Sequence, residues 1–164
     1  MKNLFYIFLL SLLLISCSTT RTVNIVTNGK EEMVDISSSD TQFRDDFTHV
    51  PVEAKEAFLI KHKANESNYT MLFLTLGYKG EIVKIYSPTN TIYNGTTYTL
   101  KSNGIAGYMR VSNAQDILIT DDYSKTTVLL ESKYLKKYKF VYVMKDNTKN
   151  KPYTVTYSNN LRPL

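Results

Sequence analysis

The residues able to do chemistry are few, and they are scattered. There is one cysteine, Cys17, and there are two histidines, His49 and His62. The histidines stand 13 residues apart in different segments, with Asp45 and Asp46 near the first. A zinc helix would need both imidazoles one turn apart, with a glutamate beside them, and that spacing is missing. Asp121-Asp122 lacks the regularly spaced acids and the glycine of a calcium loop. No serine sits in a G-x-S-x-G or S-x-x-K arrangement, and Ser124 directly precedes Lys125. Two carboxylates could hydrolyse a glycosidic bond from distant positions in the chain, but nothing marks out a pair. Gly104-Ile105-Ala106-Gly107 suits a turn and a close backbone approach better than a phosphate cradle. The expectation is a protein that is not an enzyme and that carries no cofactor or metal.

Two features suit binding instead. The chain has 13 Tyr, 11 of them between Tyr78 and Tyr157, where they either fill strands or form a contact surface. Residues 133–139 (KYLKKYK) set Lys133, Lys136, Lys137 and Lys139 among Tyr134 and Tyr138. Interleaved basic and aromatic residues can bind single-stranded nucleic acid. On an exported chain the same pattern reads as a strand edge guarded by lysine, or as a contact patch for anionic lipid, glycan or a partner protein. No nucleic-acid partner is expected.

Cys17 belongs to a different chemistry. Met1-Lys2-Asn3 is a short positive start, and Leu4 to Ile15 is a 12-residue apolar stretch broken only by Ser11. A bilayer span needs about 20 apolar residues, so this stretch has the length of a signal-peptide core and not of a membrane helix. It ends in Leu14-Ile15-Ser16-Cys17. This resembles the lipobox of bacterial lipoproteins: an aliphatic residue, a tolerant position, a small residue, then cysteine. The resemblance covers residues 1–17 only. It implies that the Cys17 thiol takes a diacylglyceryl group, that residues 1–16 are removed, and that the new amino terminus is acylated, for example by palmitate. Two or three acyl chains hold a protein firmly to a membrane, whereas one does so only marginally. Ser18, in place of an aspartate that would resemble an inner-membrane retention signal, implies an outer-membrane anchor facing the periplasm. With Cys17 used for lipid, the rest of the chain has no thiol and no disulfide.

The charge balance is mild but uneven. Formal net charge is +5, too little for a dedicated nucleic-acid binder. Residues 31–56 carry a net of −6, and residues 125–164 a net of +7. These are two solvated surfaces, or an acidic and a basic face toward a partner or anionic headgroups.

The elements that must position these groups are mostly strands. Residues 18–22 form a polar tether. Thr22 to Val26 should pair with Glu32 to Ile36 across Asn28-Gly29, since Asn-Gly between β-prone runs signals a hairpin. Residues 37–50 read as a loop or linker. Residues 51–63 are ambiguous: PVEAKEAF could open a helix at Pro51, but Phe58, Ile60 and His62 alternate with Leu59, Lys61 and Lys63 as in a strand. The alternation favours a hairpin with residues 69–76. Asn94-Gly95 signals a second Asn-Gly hairpin. Residues 138–144 are apolar on both faces, as a central strand is, and Tyr153, Val155 and Tyr157 alternate with threonines.

This pattern predicts an all-β domain over residues 23–164. The expected form is a single β-sandwich of eight to ten short antiparallel strands, immunoglobulin-like or transthyretin-like. The alternative is a small lipocalin-like barrel. The expected function is that of a lipid-anchored envelope lipoprotein, a non-catalytic interaction or assembly module with another envelope protein as partner. The alternatives are a lipid- or glycan-binding lipoprotein with a Tyr/Phe-lined cavity, and an envelope hydrolase.

Overall fold

The computed structural model describes residues 21–27 and 30–164. Among them run eleven strands and two helices. In chain order they are β1 (Arg21–Thr27), β2 (Lys30–Ile36), β3 (Ser39–Phe43), α1 (Val52–Lys61), β4 (Tyr69–Leu74), β5 (Lys79–Ser87) and β6 (Asn90–Tyr98). Then come β7 (Gly107–Ser112), β8 (Ile117–Asp121), β9 (Thr126–Leu130), α2 (Ser132–Leu135), β10 (Phe140–Lys145) and β11 (Tyr153–Ser158). One sheet has the order β3-β11-β10-β4-β7 and the other β6-β5-β8-β9, while β1 and β2 form a separate hairpin. No sheet closes on itself, so the protein is an all-β sandwich and not a barrel.

Period-2 alternation builds the core. Val141 and Val143 of β10, Leu72 and Leu74 of β4, and Val155 and Tyr157 of β11 point inward from the larger sheet. They meet Val83 and Ile85 of β5, Ile117 and Ile119 of β8, and Val128 and Leu130 of β9. All are at most 2% exposed, so side chains fill the space between the sheets. Both outer faces are covered in part. The hairpin lays Ile25 and Ile36 on Leu118, an outward residue of β8. On the far side, α1 and the chain after it lay Leu59 and Ala64 on Met71, Phe73, Phe140 and Tyr142. The result is four layers: hairpin, small sheet, large sheet, helix.

The hairpin pairs Thr22 with Asp35 and Val23 with Val34, in the register its two strands suggest, and its Asn28-Gly29 turn lies outside the described residues. Other expectations need correction. Two strand pairs are parallel, β10 with β4 and β11 with β3, so the sandwich is mixed. The chain leaves β4 and returns to β10 only after building the small sheet, and such an excursion permits parallel pairing. Residues 39–43, expected in a loop, form the edge strand β3. Its side chains are mostly solvated, which hides a strand from a hydrophobicity reading.

Most of residues 51–63 form the helix Val52–Lys61 and not a hairpin arm. Pro51 precedes the first turn, where its missing N–H costs nothing, Glu53 sits in that turn and Lys61 in the last. The apparent alternation misleads because the adjacent Phe58 and Leu59 both pack inward, whereas Ile60 is 64% exposed. Asn94-Gly95 is no turn. It lies inside β6 opposite Lys84 and Val83, and the reversal falls at residues 87–90, where Ser87 pairs with Asn90.

Candidate functional site

Three inward positions of the sandwich break the apolar pattern at one end of the core. On β10 the inward series runs Val141, Val143, Lys145; on β8 it runs Ile117, Ile119, Asp121; on β5 it runs Ile85, Val83, Glu81. Each charged residue is thus the next inward position after two core aliphatics, and the three converge. Lys145 Nζ donates to Glu81 Oε1 at 2.9 Å and to Asp121 Oδ2. The side chains of Lys145, Asp121 and Glu81 are 0%, 1% and 9% exposed.

Backbone geometry serves this convergence. Gly80 is the extra residue of a β-bulge between β5 and β6, with φ +111°. Beside it, the Lys79 N–H donates to Glu81 Oε2 at 2.5 Å. The turn after β8 folds back on Asp121: its Oδ1 accepts the backbone N–H groups of Tyr123 at 2.7 Å and Ser124 at 3.3 Å. The Ser124 hydroxyl donates to Oδ2 at 2.8 Å. Hydroxyls continue the network, with Ser124 Oγ 2.6 Å from Thr126 Oγ1, which lies 3.0 Å from the Tyr153 phenol oxygen. Among the described residues the buried Tyr78 phenol finds no hydrogen-bond partner.

Electrostatics favour the charged form of both carboxylates. Burial acts to raise the Asp121 and Glu81 pKa values. Lys145 and the amides on each carboxylate outweigh it, so both stay below the usual carboxylate range. One ammonium against two carboxylates still leaves an excess negative charge in an apolar setting, a costly arrangement. Glu81 reaches the surface at an open groove of about 700 Å³, shared with Gly80, Tyr123 and Asn147.

A second concavity lies on the outer face of the large sheet, beside α1. This open cleft of about 560 Å³ is floored by Phe73, Thr75, Tyr142, Met144, Thr154 and Thr156 and edged by Gln42 and Arg162. The Arg162 guanidinium lies 4.3 Å from the ring centres of both Phe47 and Tyr142. The Arg162 N–H donates to the Tyr142 hydroxyl, which donates to Asn160 O, each at 3.0 Å. These contacts pin the C-terminal tail as one wall.

The sequence-derived candidates fare unevenly. Cys17 lies outside the described residues. The 133–139 stretch is α2 and a following turn, and no strand edge. Its lysines do not act together. Lys133 pairs with Glu131 at 2.7 Å, and Lys139 Nζ donates to the carbonyls of Glu66 and Tyr69 at 2.6 and 3.0 Å. Lys136 and Lys137 stay exposed. Tyr134 and Tyr138 pack with Phe43 around Tyr157 and join the core's rim. Of the histidines, His62 packs against Phe58 and Tyr108. His49 Nδ1 lies 3.3 Å from Phe47 O. Among the described residues no group of three or more potential metal ligands comes together.

Sequence reasoning missed Lys145, Asp121 and Glu81. Their signal was present: a charge at one end of an inward series whose other positions are aliphatic, three times over. No protein-family model matches this chain, and no curated protein and no solved structure matches it.

Proposed function

We propose that this chain is a lipid-anchored envelope lipoprotein, held through Cys17 in the outer membrane facing the periplasm. It works without catalysis, as an interaction module that offers the cleft on its large sheet to another envelope protein. One observation carries this reading. The hairpin that follows the tether covers the outer face of the small sheet, whereas the cleft opens on the outer face of the large sheet. With an anchor just ahead of the hairpin, a tethered domain so built turns its cleft away from its attachment. The filled space between the sheets speaks against a ligand held inside the fold.

Two measurements test this. Cys17→Ser should move the protein from the membrane fraction to the soluble one; a variant still membrane-bound refutes the anchor. A photo-crosslinking residue at Thr154, in the cleft, should capture one envelope protein in intact cells, whereas the same residue at Lys84, on the small sheet, should not. Capture should vanish when Met144→Lys blocks the floor. Equal adducts from both positions refute the cleft as the working surface.

A further inference from the structure

We propose that Lys145 and Asp121 become joined by an intramolecular amide bond, with Glu81 as the proton carrier. The buried triad has every part that this condensation requires. The nucleophile is Lys145 Nζ, in contact with the Asp121 carboxylate. The acceptor for developing oxyanion charge is already furnished: Asp121 Oδ1 receives two backbone N–H bonds, from Tyr123 and Ser124. The base is Glu81, whose Oε1 is 2.9 Å from the same nitrogen.

The step balances within the triad. The Lys145 ammonium gives one proton to Asp121 Oδ2, leaving a neutral amine beside a carboxylic acid. Burial narrows the gap between this neutral pair and the ion pair, because a low dielectric penalises the charged forms. The Nζ lone pair then adds to Asp121 Cγ, and the carbonyl electron pair moves to Oδ1, under the two N–H groups. Glu81 takes a second proton from Nζ and delivers it to Oδ2. The Cγ–Oδ2 bond breaks, water leaves, and the electron pair on Oδ1 re-forms the carbonyl. The third proton stays as the amide N–H, and Glu81 ends as it began. No oxidant or other reactant enters.

Position and surroundings favour the product. The two side chains are held together by strands of different sheets, so the reaction is intramolecular, and effective concentrations of roughly 10⁵–10⁸ M are attainable for well-placed groups. Water that would reverse the reaction is excluded from Lys145 and Asp121, whose side chains are 0% and 1% exposed. The water released has a route out past Glu81 into the groove. The bond would tie β10 of the large sheet to β8 of the small one, and it would remove two buried charges.

Proteolytic mapping decides the matter. Protein recovered folded from membranes, then denatured and digested with trypsin, should yield a branched peptide that joins the Asp121 segment to the Lys145 segment. It should be lighter than their sum by one water, with no cleavage after Lys145. Lys145→Arg, which keeps a cation among the carboxylates but cannot condense in this way, should give linear peptides only. Glu81→Gln should leave most of the protein unlinked while its circular dichroism stays that of a folded β-protein. Complete cleavage after Lys145 in the native protein, with two linear peptides, overturns the proposal. A native yield of branched peptide in folded Glu81→Gln overturns the role of Glu81.

Discussion

Lys145 on β10 and Glu81 on β5 belong to different sheets, yet their side chains meet at 2.9 Å in the plane between them. The contact exists because both residues occupy the inward parity of their strands, where Val143 and Val83 precede them toward the core. Removing the ammonium leaves two buried carboxylates facing each other with no cation between them. Lys145→Met should therefore be roughly 3–5 kcal/mol less stable than Lys145→Arg, which keeps a cation there and likewise forms no amide bond. Urea denaturation followed by circular dichroism measures this. Equal midpoints in the two variants would show that the carboxylates do not depend on a cation at position 145.

The loop between β4 and β5 approaches β10 so closely that only glycine fits at its third position. Gly77 has φ +97°, and a Cβ there would run into the Lys145 carbonyl oxygen, which is backbone and cannot move aside. Gly77→Ala should cost at least about 1–3 kcal/mol from backbone conformation alone, with the clash added. Gly107→Ala makes the matched control. A Cβ at Gly107 meets nothing within 4 Å, and the change should stay within about 0.5 kcal/mol of neutral. Equal losses in the two variants would contradict the close approach at Gly77.

The strands legible in the sequence are those whose two faces differ. Tyr153 to Tyr157 alternates because one face meets the core, and residues 140–144 are apolar throughout because β10 is covered on both sides. The strand β3 was illegible for the converse reason: as an edge strand it buries little, and its place comes from backbone pairing with β11. Residues 94 and 95 misled because turn propensity is local, whereas β6 is fixed by its register against β5. The triad escaped notice for a different reason. Lys145 and Asp121 stand 24 residues apart, and only the packing of two sheets reveals that they share one site. What the sequence did contain was each residue's inward parity, read one strand at a time.

The N-terminal hairpin should part from the sandwich without melting it. Its hold on the small sheet is a short apolar contact, Ile25 and Ile36 on Leu118, with Val23 and Val34 beside them. One backbone bond adds to it, from the Ser37 N–H to Thr127 O at 2.7 Å. Ile36→Asp places a charge in this contact, where it has no partner. Limited proteolysis should then cut within residues 21–36 much faster than in the native chain, while the fragment from residue 37 onward resists. Simultaneous loss of both parts would show that hairpin and sandwich unfold as one unit.

Alkali should unfold this protein through its buried phenols. Burial pushes Tyr142 and Tyr153 up to about 12, from an ordinary value of 10.0. A folded-state pKa raised above the unfolded one means that the fold favours the neutral phenol. That contribution is complete below pH 10.0, and it is lost as pH rises through about 12. A spectrophotometric titration should accordingly show a late phase of phenolate formation that coincides with loss of the β-sheet circular dichroism signal. Tyr142→Phe should shrink this late phase. It also strands the Asn160 carbonyl and the Arg162 N–H that the phenol now satisfies, at a cost of about 1–3 kcal/mol at neutral pH. A single smooth rise in phenolate absorbance, with the sheet signal intact to its end, would contradict the burial of Tyr142 and Tyr153.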